Sequence, residues 1–168
     1  AGQMIDLSLL DSIISVLGPE ALDYKLTGKP KSRIGNQSNL SIPRNVYQTC
    51  DHHFLSISAS IPQMAARLFE TIGRSDMNKD ERYNTNEARL NNRNAVDSVV
   101  ADWISKRTRD EVMSTFIEAG VTIAPLYSIA DIAQDQHFID REIYSEIPDS
   151  DLGTIPVHKA VPTLSDTP

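Results

Sequence analysis

Apolar residues recur at three- and four-residue intervals through Ile5, Leu9, Leu10, Ile13, Ile14 and Leu17, which predicts a short extended entry followed by a helix. Gly18-Pro19 should end that helix. Asp6 or Ser8 is placed to accept a hydrogen bond from a free first-turn amide. A second short helix is expected over Ala21 to Leu26, before Thr27-Gly28-Lys29-Pro30. From Gly28 to Pro43 the periodicity fades and Gly, Pro, Asn and Ser accumulate, the composition of a loop or linker.

Alternation then takes over. Val46, Gln48 and Cys50 alternate with Tyr47 and Thr49, and Phe54, Ser56 and Ser58 alternate with Leu55 and Ile57, so a β-hairpin turning at Asp51-His52-His53 is predicted. Ser60-Ile61-Pro62 opens a helix whose apolar face is Met64, Leu68, Phe69 and Ile72, closed by Gly73. After a polar stretch from Asp76, Asn84-Thr85 should cap a helix carrying Ala88, Leu90, Ala95, Val96, Val99, Val100, Trp103 and Ile104. Trp103 reads as a core anchor rather than a platform for a ligand. Thr108-Arg109-Asp110-Glu111 has the capping-box pattern, opening a helix through Val112, Phe116 and Ile117 to Gly120. Val121 to Pro125 reads as a buried strand and Ser128 to Asp135 as a short capped helix. Glu142 to Ile147 and Thr154 to His158 read as strands, and Val161 to Pro168 shows no element of its own.

Composition narrows the class. With 40% hydrophobic and 23% charged residues, the 168-residue chain has the balance of a soluble folded protein and not of a disordered one. A net charge of −7 without a basic run argues against nucleic acid as a partner. One cysteine, Cys50, excludes an intrachain disulfide framework and a multi-thiolate metal site. No run of about eighteen apolar residues is present to span a membrane.

Chemistry is harder to find. His52 and His53 are adjacent, and neighbours on a strand point to opposite faces, so with Asp51 they read as exposed turn residues and not as joint metal ligands. The carboxylates of Asp80-Glu81 and Asp149 to Asp151 lie in solvated stretches, where nothing lifts a pKa toward neutrality. No Gly-x-Ser-x-Gly turn presents a nucleophile. The segment Gly35-Asn36-Gln37-Ser38-Asn39 combines backbone freedom with small hydrogen-bonding side chains, suiting either a flap over a ligand or a solvated connector.

Ordered strings add a resemblance. Gly2-Gln3-Met4-Ile5-Asp6-Leu7-Ser8-Leu9-Leu10-Asp11, Ile72-Gly73-Arg74, Tyr83-Asn84-Thr85-Asn86-Glu87-Ala88-Arg89 and Trp103 come first. They are followed by Ala119-Gly120-Val121 with Ala124-Pro125, Asp135-Gln136-His137-Phe138, and Val161-Pro162-Thr163-Leu164-Ser165-Asp166-Thr167-Pro168. In this order and spacing they resemble class III coenzyme A transferases of the CaiB/BaiF type, across essentially the whole chain.

The resemblance implies an enzyme with a large Rossmann-like domain that binds coenzyme A and an inserted smaller α+β domain. Interlocked homodimers, an active site in the cleft between the domains, and coenzyme A transfer through an acyl-aspartyl anhydride are implied with it. The chain is then expected to be the small domain, helices with a short and mostly antiparallel sheet, plus linkers from the large domain. Residues 1–27 would be helix and linker from the large domain, 28–45 a loop, 46–147 the small domain, and 148–168 the return linker.

No aspartate here matches the catalytic motif, so the fragment by itself is expected to be inactive, and Asp6 reads as a cap. The loop that covers the active site in this family corresponds to Gly35, Asn36, Gln37, Ser38 and Asn39, although only one of these is glycine. Asn36 and Ser38 would donate to an acyl carboxylate or amide. Relatives commonly carry Asp-Gly where Asp51-His52 stands, so His52 must accept a strained turn or another turn type. No metal and no permanently bound cofactor are implied; coenzyme A thioesters and carboxylic acids are the substrates, in the cytoplasm, or in mitochondria or peroxisomes of a eukaryote. An acyl-coenzyme A racemase of the same fold and a non-catalytic interaction module are the alternatives.

Overall fold

The strict alternation around Asp51 does produce a hairpin: β1 (Arg44–Gln48) pairs antiparallel with β2 (Phe54–Ser58), with Tyr47 opposite Leu55 and Asn45 opposite Ile57. A third strand, β3 (Ile123–Pro125), pairs antiparallel with the other edge of β2, so the order is β1-β2-β3. One face of this sheet carries Tyr47, Leu55 and Ile57, all buried, and the register adds Asn45, Ile123 and Pro125 to it. The computed structural model describes residues 2–4 and 6–159; the expectation for Val161 to Pro168 lies outside the described residues.

Helices close that face. The elements after β2 are α3 (Pro62–Thr71), a 3₁₀ turn (Ser75–Asn78), α4 (Asn86–Asn91), α5 (Arg93–Ile104) and α6 (Arg109–Glu118). Leu68 and Phe69 of α3, Val96, Val100 and Ile104 of α5, and Val112 and Phe116 of α6 are buried with Ile42, Met77 and Val121 in one cluster. Each fully buried side chain of this size contributes about 1.5–3 kcal/mol, so this cluster is what holds sheet and helices together. Trp103 stacks on Phe116 with ring centroids 5.2 Å apart, and the Arg107 guanidinium lies 3.7 Å from the centre of the indole. The ring is an anchor packed between the two.

Two of the expected elements differ in the structure. The helix predicted from Asn84-Thr85 through Ile104 is two helices, because Asn92 leaves helical geometry at φ −113° and ψ 30°. Its side-chain amide donates to the carbonyls of Ala88 (2.9 Å) and Arg82 (3.1 Å), a local competition with the backbone ladder. Val121 to Pro125 yields only the three-residue, half-buried β3.

Beyond β3 come α7 (Ile129–Gln134), α8 (Gln136–Asp140) and a second antiparallel pair, β4 (Tyr144–Asp149) with β5 (Gly153–His158). Residues 39–168 form one compact unit and residues 1–38 another. The first holds α1 (Leu9–Val16) and α2 (Glu20–Thr27), with Gly28 in left-handed geometry after α2. Ser8 takes the N-cap position of α1, but its side chain makes no capping hydrogen bond, so Ser8 does not cap the helix as expected. The architecture is α+β, with helices and small antiparallel sheets, and no helix among the described residues is long and apolar enough to cross a membrane.

Candidate functional site

The string Tyr83 to Arg89 builds a clamp. Thr85 caps α4 by accepting from the Ala88 amide at 3.1 Å, and the helix so begun places Asn86 and Arg89 three residues apart on one side. Asn86 holds a backbone segment at two points: its amide nitrogen donates to the Leu40 carbonyl (2.8 Å), and its oxygen accepts from the Ile42 amide (3.3 Å). Arg89 takes the next carbonyl, Nε donating to Ile42 (2.7 Å), while Nη1 donates to Tyr83 (2.9 Å). Arg89 is 2% exposed, and burial pulls its pKa below the usual arginine range. Among the described residues, Nη2 finds no hydrogen-bond partner although it is buried, and neither do Ser41 Oγ and Arg93 Nη1. The segment these side chains grip, Leu40 to Ile42, follows directly on Asn39.

Gly35 has φ +66° and forms a turn with Asn36, so the backbone there uses the freedom that glycine alone has cheaply. Gly35, Asn36 and Asn39 are exposed, and Gln37 and Ser38 are half-buried. Gly35 to Ser38 belong to the first compact unit and Asn39 to the second. Sequence reasoning singled out this loop but gave no role to Asn86 and Arg89. The available signal was an arginine three residues after an asparagine in a helix also carrying Ala88 and Leu90, a pattern that a simple apolar stripe does not need.

Next to the clamp, the hydroxyl of buried Tyr47 donates to Asp97 (2.7 Å) and the Asn45 amide donates to its other oxygen (3.1 Å). Burial, and then the Asp97 charge, push the Tyr47 phenol far above its ordinary pKa, which keeps it a neutral donor. These groups tie β1 to α5.

Of the carboxylates weighed above, Asp80 pairs with Arg82 and Asp149 accepts from the Asp151 and Leu152 amides, and Asp51 is likewise tied into the fold, as is Asp131. Asp51 accepts from the Thr49 hydroxyl and, at 3.1 Å to each oxygen, from the Arg109 amide at the start of α6. These bonds, Thr49 first, hold its pKa below the usual carboxylate value. His52 beside it is exposed with φ +65°, the strained alternative for this turn. Asp131 closes a capping box with Ser128 and pairs with Arg109 Nη1 at 2.8 Å; these partners, Ser128 first, hold it well below the carboxylate range. Among the described residues, no three His, Cys, Asp or Glu side chains gather as a metal site. A recess of about 670 Å³ lies against α8, β4 and β5, with Phe138, Ile143 and Pro156 in its wall and the Lys159–Glu142 pair (2.7 Å) among its lining groups.

Set beside known proteins, the chain matches the model of CoA-transferase family III over residues 1–168. The succinyl-CoA--L-malate CoA-transferase alpha subunit of Chloroflexus aurantiacus is 32% identical over 167 residues, covering 99% of this chain and 39% of that protein. The succinate--glutarate CoA-transferase of Agrobacterium fabrum is 28% identical over 167 residues, covering 99% of this chain and 42% of that protein. A crystal structure of a CaiB/BaiF family protein from Brucella suis superposes with a TM-score of 0.72 at 26% identity, over 98% of this chain and 46% of the other. The chain spans about two fifths of the length of these curated relatives.

Proposed function

Because the chain belongs to CoA-transferase family III, we propose that it is the part of a coenzyme A transferase that supplies the small α+β domain and the connections on either side of it. The whole enzyme moves coenzyme A between carboxylic acids, and its relatives' succinyl-CoA, malate and glutarate point to short dicarboxylic acids as the acyl groups. The observation that carries this reading is the family match from the first residue to the last.

In the proposed reaction an aspartate carboxylate, outside these residues, attacks the thioester carbonyl; the C–O bond forms, the C–S bond breaks, and coenzyme A leaves as the thiolate. The incoming carboxylate attacks the aspartyl carbonyl of this anhydride, forming a new C–O bond and expelling the first acid as its carboxylate; the coenzyme A thiolate then attacks the acyl carbonyl of the new anhydride, forming the C–S bond and releasing the aspartate carboxylate. Residues 1–27 would be large-domain helix and linker, 28–45 the connecting loop, 46–147 the small domain and 148–168 the return. The homodimer places this domain against the large one. In that cleft Gly35 to Asn39 would fold over the intermediate, with Asn36 and Ser38 donating to the acyl group. Gly35 at φ +66° supports a loop built for an unusual path, and the exposure of Asn36 leaves its amide accessible.

The test uses the full-length polypeptide with succinyl-CoA and a panel of dicarboxylic acids, following thioester exchange by chromatography and the acyl-enzyme by capture with hydroxylamine. Exchange with a captured enzyme hydroxamate is the expected result. Exchange of the α-hydrogen of an acyl-coenzyme A without thioester exchange or capture would replace the transferase by a racemase, and absence of either reaction would leave an interaction module.

A further inference from the structure

We infer that Arg44 is a specificity-determining residue: with the Ser58 and Ser60 hydroxyls it receives the far carboxylate of a dicarboxylic acyl group lying on the outer face of the β1–β2–β3 sheet. The inference rests on the proposed transfer of coenzyme A among short dicarboxylic acids. It goes further by naming what in this chain reads the second carboxylate.

The register fixes which side chains share that face. Tyr47, Leu55 and Ile57 turn into the core, so Arg44, Val46, Ser56, Ser58 and Ala124 leave from the opposite side, with Gln48 and Phe54 paired at one end. An antiparallel sheet whose second face meets only water carries polar side chains there, in alternation with the core. This face holds one charge, Arg44. Val46, Ser56 and Ala124 stand in a row across the three strands, small and uncharged, and Phe54 is 46% exposed. Such a surface suits the floor beneath an acyl chain better than a solvated exterior.

Arg44 stands directly opposite Ser58, an arrangement that sets Cβ atoms about 5 Å apart. The Ser58 and Ser60 hydroxyls are 2.9 Å from each other. One of their two protons is used between them, which leaves the other to donate elsewhere. Arg74, Arg82 and Arg109 each hold an aspartate. The Arg44 guanidinium has no such partner, nor any hydrogen bond, among the described residues. Its planar fork matches a carboxylate with two parallel bonds, and a serine hydroxyl alongside adds a third donor. A cation and a hydroxyl donor at the edge of an uncharged floor complement an anion that carries an apolar tail. From Arg44 to the row of Val46 is two residues, about 7 Å along the strand, comparable with the end-to-end length of a succinyl or glutaryl chain.

The test compares full-length parent, R44Q, R44K and S58A enzymes, with succinyl-CoA and butyryl-CoA as alternative donors to a common acceptor acid. The two acyl chains have equal length and differ in the far carboxylate. Thermal unfolding verifies the fold of each variant, which the exposure of Arg44 should preserve. The parent should prefer succinyl-CoA in kcat/KM. R44Q should reduce that preference by about 10- to 100-fold, the loss of a charge-assisted bond to one donor only. R44K keeps the charge without the fork and should recover part of the preference, and S58A should reduce it by about fivefold. If the parent prefers succinyl-CoA and R44Q and R44K keep that preference, whether or not both donors slow equally, Arg44 does not read the far carboxylate and the inference is overturned while the transferase reading stands. A parent that prefers butyryl-CoA has the same consequence. A parent that transfers from neither donor removes the transferase reading, and the inference with it.

Discussion

His52 occupies φ +65°, where the Cβ of an L-residue meets the following carbonyl at a cost of about 1–2 kcal/mol. Replacing it by glycine relieves that contact but gives the unfolded chain more freedom, so H52G should stabilise by about 0.5–1 kcal/mol, measurable as a raised urea midpoint. Tyr47 stands at the opposite extreme, unstrained and buried with its hydroxyl on Asp97; Y47F should destabilise by about 2 kcal/mol, because a charged acceptor loses a donor inside the protein. Asp131 is depressed by Ser128 and Arg109, and Asp80 is lowered to about 2, chiefly by Arg82. A carboxyl whose folded pKa lies below its unfolded value binds fewer protons when folded. Its contribution is therefore present above the ordinary carboxylate pKa, about 4, and is lost as pH falls through the folded value. Denaturant midpoints should hold steady from about pH 7 to 5 and decline toward pH 2, and D80N should flatten the decline; an unchanged slope in D80N would show that Arg82 does not act on the folded state.

At the scale of elements, the start of α6 is held twice. Thr108 and Glu111 form a reciprocal capping box, and Asp51 reaches across from the hairpin turn to the Arg109 amide. T108A should cost about 1 kcal/mol by removing a cap. D51A should also cost stability, by detaching the β1–β2 turn from the helix; because Asp51 and Thr108 both hold the first turn of α6, the two losses should not add in a double variant. Caps are readable in advance because all their atoms lie within four residues; the Thr108 capping box closes as expected, and the helix expected to be capped at Ser128 closes a box as well. The break between α4 and α5 was not readable, since apolar periodicity continues across it and the Arg82 carbonyl that draws Asn92 away is ten residues upstream.

At the scale of the molecule, α1 presents Leu9, Leu10, Ile13 and Ile14 at 57–87% exposure, a contiguous apolar face. The 168-residue chain should self-associate with rising concentration, and L10E/I13E should reduce that association in sedimentation; a monomer at every concentration would overturn the expectation. Calorimetric titration of the same chain with coenzyme A should detect no tight binding, because the proposed nucleotide site lies outside these residues. Low-micromolar affinity would contradict that assignment.

Local pattern determined the elements. Periodicities of two and near three and a half, glycines after helices and caps three residues apart place the hairpin, α3, α6, α7 and the β4–β5 pair, since each depends on neighbours along the chain. The ordered strings further identified the family, and the loop at Gly35 to Asn39 was picked out by its composition. Only the tertiary structure decided what Tyr83 to Arg89 does. Asn86 meets Ile42 across 44 residues and Tyr47 meets Asp97 across 50, and no spacing rule connects positions so far apart. Such bonds exist because burying the core brings distant backbone carbonyls and carboxylates out of water together, where each must find a partner within reach.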